Sequence, residues 1–231
     1  MNARYLAPLV LFSLVFGLAA QDAKPTPKPK AKQQDPAFAA VTDDPKLPRV
    51  LLIGDSISIG YTAATRKLLA GKANLHRISE NGGPTTNGTG KIMKWLGASK
   101  WDVIHFNWGL HDLKFMPDGK RQVGPEDYEK HLRALVKQMQ STGARLIWCS
   151  TTPVPEGKLS PARLNTDVLA YNAIAKKVMD ENKISIDDLY AHAQAGPLSK
   201  IQIPVNVHFT PAGSEYLAKQ VTASIEAALK K

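Results

Sequence analysis

Short apolar runs alternate with longer amphipathic stretches through most of this chain. The clearest run, Val50-Leu51-Leu52-Ile53, breaks abruptly into Gly54-Asp55-Ser56. A brief apolar run ending in turn residues reads as a buried strand followed by a tight turn. The same pattern predicts strands at 49–53, 74–78, 103–107, 145–149 and 184–187. Between and after them, the spacing predicts helices at 59–70, 89–97, 126–141, 164–181 and 211–229. Pro125-Glu126-Asp127 opens one helix with proline and acids in its first turn, and Gly143 stops it. Thr210-Pro211 opens the last helix, with the threonine as its cap. Strands alternating with helices predict an α/β fold, a parallel sheet with helices on both faces. Right-handed crossovers then give a three-layer α/β/α sandwich of the flavodoxin-like kind.

The first residues follow a different pattern. Arg4 precedes an apolar run from Leu6 to Leu18, and Gly17-Leu18-Ala19-Ala20 supplies small residues. This predicts a signal peptide over 1–20, cut near Ala19 or Ala20, with a retained anchor as the alternative. The run is short for a membrane span, so no transmembrane segment is expected after cleavage. Residues 21–46, rich in Pro, Lys, Ala and Gln, predict a solvated linker. A single domain over 47–231 follows, long enough to bury a sizeable core. Export predicts a secreted, periplasmic or envelope-associated protein, of bacterial type.

The formal net charge is +10, of which the first 46 residues carry +2. The lysines of the domain are spread along helices, and no nucleic-acid motif accompanies them, so solvated faces explain most of the charge. Nucleic acid is not an expected partner. The lone cysteine, Cys149, follows Leu146-Ile147-Trp148 and is expected to be a buried thiol; no internal disulfide is possible.

Chemistry is expected at the carboxyl ends of the strands, where open α/β sheets bind ligands. Ser56 falls there, as do the loops 79–88, 108–124, 150–163 and 195–209. A serine becomes a nucleophile when a histidine removes its proton, and His208 in Val207-His208-Phe209-Thr210 is the candidate base. The serine context is G-D-S-I-S, which does not fit the G-x-S-x-G nucleophile elbow. Gly88-Thr89-Gly90-Lys91-Ile92 lacks the first glycine and the Ser/Thr of a phosphate-binding loop. No cysteine or histidine cluster has zinc-ligand spacing, so neither a metal nor a cofactor is expected.

Four blocks together resemble the SGNH hydrolases, the GDSL-type lipases and esterases. They are Gly54-Asp55-Ser56, then Asn81-Gly82-Gly83-Pro84, then Gly109-Leu110-His111-Asp112, and finally His208 before the last helix. The resemblance spans the whole domain in the family's order. It implies Ser56 as nucleophile and oxyanion donor, His208 as general base and acid, and Gly83, or Gly82 in its place, as a second backbone donor. Two positions depart from the family pattern. His111 stands where the family has an asparagine amide facing the oxyanion. Asn206 stands where the family places the aspartate that orients the histidine. Asn206 is therefore read as the orienter of His208, with Asp112 and Asp188 as other sources of charge. Asp55 is expected to fix the turn beside the substrate site, and Asp112 to bond loop N–H groups.

The implied function is a serine esterase acting through an acyl-enzyme on a small ester, such as an O-acetyl group on a carbohydrate. Trp108, Phe115, Trp95 and Trp101 are candidates for sugar stacking, with core packing the favoured reading for the last two. The alternative is a catalytically weakened glycan-binding module of the same fold, suggested by the changes at His111 and Asn206.

Overall fold

The computed structural model describes residues 35–230. The expected signal peptide and the linker up to residue 34 lie outside the described residues. Five parallel strands form one sheet: β1 Arg49–Ile53, β2 Asn74–Arg77, β3 Val103–Phe106, β4 Arg145–Cys149 and β5 Ser185–Asp187. Their order is β2-β1-β3-β4-β5. Among the described residues seven α-helices accompany them: α1 Ser56–Leu68, α2 Thr85–Leu96, α3 Pro125–Gln140, α4 Asn165–Glu181, α5 Leu189–Ala195, α6 Leu198–Ile201 and α7 Pro211–Leu229. Helices α1 and α7 pack together on one face, while α2, α3 and α4 pack in sequence on the other. The α/β/α sandwich predicted from the pattern is the fold observed.

Burial explains the pattern. Val50 to Ile53 and all of β3 are buried, because helices cover both faces of the sheet. Helix α3 buries Leu132, Leu135, Val136 and Met139, a stripe at helical spacing. Each such side chain contributes about 1.5–3 kcal/mol by leaving water. From β1 the chain moves to β2 on one side and then to β3 on the other. The crevice where the strand order reverses therefore lies between the ends of β1 and β3, which is where such sheets bind ligands.

The helix starts carry information that local sequence did not. Helix α1 begins at Ser56, three residues earlier than predicted. Asp55 caps it at once, with Oδ1 accepting from the Ile57 N–H at 2.9 Å. Helix α2 begins at Thr85 instead of residue 89 because its cap is remote: the Thr85 N–H donates to Asp112 Oδ1 at 2.8 Å. Helices α5 and α6 were not predicted, and Asp188 caps α5 through the Ala191 N–H.

Part of the expected linker also lies on the domain. Ala37 is buried, the Arg66 guanidinium donates to the Pro36 carbonyl, and the Asn74 side chain exchanges hydrogen bonds with the Asp44 backbone. Asp43 meets both Arg49 and His76. Residues 36–44, expected as linker, thus pack against the domain expected over 47–231. Specific polar contacts make that extension, and composition does not reveal them. No helix among the described residues is long and apolar enough to cross a membrane.

Candidate active site

Ser56 is the first residue of α1, directly beyond the carboxyl end of β1. The first N–H groups of a helix have no partner inside it, and the Ser56 N–H meets no acceptor among the described residues. Behind it, Arg77 pins the turn. Its guanidinium donates to Ser58 Oγ at 2.8 Å and to the Gly54 carbonyl at 3.3 Å, and burial lowers its pKa to about 10.

His208 arrives from the opposite end of the chain, on a loop tied at its base. The Thr210 N–H donates to the Ile201 carbonyl, and the Ile203 N–H donates to the His208 carbonyl. A turn forms the tip, with the Asn206 N–H donating to the Ile203 carbonyl at 3.1 Å. Pro204 suits the second turn position, and Val205 occupies the third with φ 51°. This turn presents Asn206, whose Oδ1 lies 3.0 Å from the His208 backbone nitrogen and 2.7 Å from His208 Nδ1. His208 Nε2 lies 2.8 Å from Ser56 Oγ.

These distances fix the protonation pattern of the neutral ring. A backbone N–H can only donate, so the Asn206 atom that it meets is the amide oxygen. His208 Nδ1, facing that same oxygen, must carry the ring proton. His208 Nε2 is then unprotonated and accepts from the Ser56 hydroxyl. The chain Asn206–His208–Ser56 has the polarity of a serine-hydrolase triad, with an amide oxygen in place of a carboxylate. The other carboxylates are engaged elsewhere. Asp112 Oδ1 accepts from the Thr85 N–H and hydroxyl, and Asp188 Oδ1 accepts from Ser150 Oγ and the Ala191 N–H.

A cleft of about 360 Å³ opens over Ser56 and His208, and Asp55, Asn81, His111, Arg163 and Val205 help to line it. Asp55 is buried and spends Oδ1 on the helix cap. The glycine block departs from its expected part. The Gly82 N–H donates to the Gly54 carbonyl at 2.9 Å, and the Gly83 N–H donates to Asn81 Oδ1 at 2.9 Å. Both backbone donors are thus taken within the protein. The close approach of Gly82 leaves no room for a side chain, since a Cβ would stand 2.9 Å from the Gly54 oxygen. What the block turns toward the cleft is Asn81. Its oxygen faces the Gly83 N–H, so its NH2 is the end left free.

His111 also faces the cleft, half-buried and without a hydrogen-bond partner among the described residues. Burial is the main influence on its ring and lowers its pKa; Lys114, Arg163 and His208 push the same way, against Asp55. A neutral imidazole there carries one N–H donor. The loop that holds it is firmly set. Tyr128 Oη donates to the Trp108 carbonyl at 2.9 Å, and Arg163 Nε donates to the Leu110 carbonyl at 2.7 Å. Gly109 passes so close to Thr151 that a Cβ would overlap its hydroxyl.

The stacking candidates divide. Trp108 is 1% exposed and packs on Phe106, so it has no face for a sugar; Trp95 and Trp101 are also buried. Phe115 is half-buried beneath the Arg121 guanidinium. His105, buried in β3, meets Asp187 at 2.9 Å through Nε2, while its Nδ1 has no partner among the described residues. With Cys149 they form a buried group of possible metal ligands. The Asp187 oxygens, however, already accept from Gln220 and Ser224 as well as His105, and burial pushes the Cys149 thiol pKa up. That donor set fits a hydrogen-bonded core cluster. Asn81 and Arg163 are the cleft residues that sequence reasoning missed. Asn81 adjoins the glycine pair and was open to discovery, whereas Arg163 lies in a loop with no recognisable motif.

The family model for the GDSL-like lipase/acylhydrolase family matches residues 52–216. Among curated proteins, none matches in sequence. Several solved structures share the fold. The acetyl xylan esterase AlAXEase is 17% identical, with a TM-score of 0.66 over 77% of this chain and 99% of that one. A lipase/acylhydrolase from Enterococcus faecalis is 20% identical, with a TM-score of 0.66 over 78% of this chain and 96% of its own. Axe2, an acetylxylan esterase from Geobacillus stearothermophilus, is 19% identical, with a TM-score of 0.63 over 77% and 94%. With the matched region running from β1 through the start of α7, the chain belongs to the GDSL-like lipase/acylhydrolase family, the SGNH hydrolases, and is an ester-hydrolysing serine hydrolase.

Proposed function

We propose that Ser56, His208 and Asn206 are the catalytic triad of an exported esterase that removes small acyl groups, acetyl foremost, from carbohydrate. The observation that carries the reading is the hydrogen-bond chain from Asn206 Oδ1 through the His208 ring to Ser56 Oγ, at 2.7 and 2.8 Å. Ser56 Oγ bonds to the ester carbonyl carbon as its proton passes to His208 Nε2. The carbonyl π electrons move onto oxygen. When they return, the C–O bond to the alcohol breaks, and the alcohol leaves with that proton. Water repeats the sequence on the acyl-enzyme, releasing the acid and restoring Ser56.

The tetrahedral oxygen needs donors held ready before it forms. The Ser56 N–H, the free amide end of Asn81 and the neutral His111 ring all border the same cleft and are read as that set. Gly83 serves indirectly, by holding the Asn81 oxygen. The cleft volume suits a small ester. The two acetylxylan esterases among the similar folds support an acetylated carbohydrate, and the targeting pattern at the start of the chain supports export.

The test is p-nitrophenyl acetate hydrolysis by the purified protein beside Ser56→Ala and His208→Ala. Loss of about 10³-fold or more in both variants is expected. Equal turnover in all three proteins would place the chemistry elsewhere.

A further inference from the structure

The cleft holds a charge that ester hydrolysis does not use. Arg163 lines it together with Ser56, Asn206 and His208. Its guanidinium is fixed by two backbone carbonyls, Nε donating to Leu110 at 2.7 Å and Nη1 to Pro161 at 3.2 Å. A guanidinium has five N–H donors, so three remain. No carboxylate pairs with it among the described residues. The influence of opposite sign on it is Asp55, which also lines the cleft, gives its Oδ1 to the α1 cap and forms no ion pair with Arg163. Lys114 and Arg163 both add positive influence at His111.

A half-buried, unpaired guanidinium is costly to maintain. Burial lowers the Arg163 pKa, showing that its charge is under-solvated where it stands. The two carbonyls need donors, but not a full positive charge in a substrate cleft. A planar fork held at its base, with its outer edge unpaired, is the arrangement that receives a carboxylate by two parallel hydrogen bonds.

We propose that Arg163 is a specificity-determining residue that binds an anionic group, a carboxylate, on the ester substrate, so that the preferred substrate is an acylated acidic sugar of the uronate class. This deepens the esterase reading and rests on it.

The experiment separates the two. Binding of acetylated 4-nitrophenyl β-glucuronide and acetylated 4-nitrophenyl β-glucoside to the Ser56→Ala protein is measured by calorimetry. Turnover of both is measured with the wild-type protein. The glucuronide is expected to bind about tenfold more tightly, the scale of a charge-assisted hydrogen bond. Arg163→Gln in the same background should reduce that preference to less than about threefold. Because Arg163→Gln also loosens the Leu110 tether, ionic strength gives an independent reading. In Ser56→Ala alone the preference should shrink when salt rises from about 20 to about 500 mM, as screening requires.

Equal binding of the two sugars, or a preference that survives both Arg163→Gln and high salt, overturns the anion site. Selective binding without turnover of either ester by the wild-type protein leaves the anion site standing and overturns the esterase mechanism instead.

Discussion

Replacing Asn206 with aspartate isolates what the amide cannot do. The two side chains have the same shape, and Oδ1 already accepts from both the backbone N–H and Nδ1 of His208. Aspartate keeps both bonds and the tautomer, and adds one negative charge. In a serine protease the reverse change costs about 10⁴-fold, largely because the amide there favours the wrong tautomer. Here the amide oxygen faces Nδ1, so that part of the loss is absent and only the charge is missing. An imidazolium and a carboxylate at about 4 Å attract by about 1 kcal/mol in water and about 4 kcal/mol at an effective dielectric of 20. His208 is solvent-exposed, so the lower end applies, about 1–2 kcal/mol in the transition state. Asn206→Asp should therefore raise kcat/KM for p-nitrophenyl acetate by about five- to thirtyfold. The comparison belongs on the alkaline plateau of the pH profile, where the general base is unprotonated in both proteins. An unchanged or lower plateau would refute the reasoning and mean that another group already offsets the imidazolium charge.

Further outcomes follow from the cleft and from the core beneath it. Asn81→Ala should lower kcat by about 10²-fold or more with little change in KM, the cost of one oxyanion donor. Asn81→Asp, which keeps the acceptor for the Gly83 N–H, should lose at least as much; full activity in it would make Asn81 a tether only. Asp112 is buried, its Oδ2 lacks a partner among the described residues, and burial raises its pKa to about 7 against the bonds from Thr85. The folded state therefore holds a proton that the unfolded chain releases near pH 3.8. The resulting stabilisation is complete below that pH and is lost as pH rises through about 7. Relative to Asp112→Asn, the wild-type protein should lose on the order of 3 kcal/mol between pH 4 and 8 in urea titrations; parallel stability curves would contradict this. Asn206→Asp, read on anionic and neutral esters together, should gain speed on the neutral ester and lose preference for the anionic one, and an unaltered preference would uncouple Arg163 from the triad.

The strand plan was legible because Val50 to Ile53 of β1, and Val103, Ile104 and Phe106 of β3, are buried and apolar, a signal that needs no partner to be read. Ser56 was legible at the end of β1, His208 as a candidate base before the last helix, and Asn206 through the family resemblance. Two kinds of information were not. The start of α2 depends on Asp112, 27 residues away, and a cap supplied across the fold leaves no local mark. The glycine block suggested backbone donors, but whether an N–H is free depends on what faces it. Here Gly54 and the Asn81 side chain do, and that is set by tertiary approach. Arg163 was illegible for the same reason: arginine is ordinary in a loop, and only the absence of a carboxylate around a held guanidinium makes it informative.

The missing carboxylate and the unpaired arginine have one electrostatic explanation. Asn206 and Arg163 line the same cleft. An aspartate at 206 would strengthen the base, but it would also place a negative charge where Arg163 could answer it, partly neutralising the group that receives the substrate. Asparagine keeps the oxygen that sets the His208 tautomer and removes that competition. His111 acts in the same direction: burial favours its neutral ring, so it adds a donor without a second fixed charge. Among the described residues one carboxylate lines the cleft, Asp55, and its Oδ1 caps α1. The guanidinium of Arg163 thus stands beside a neutral triad, with Asp55 the one opposing charge in the cleft among the described residues. That arrangement gives up some rate on neutral esters for discrimination among charged ones, and its two halves should respond together when either Asn206 or Arg163 is changed.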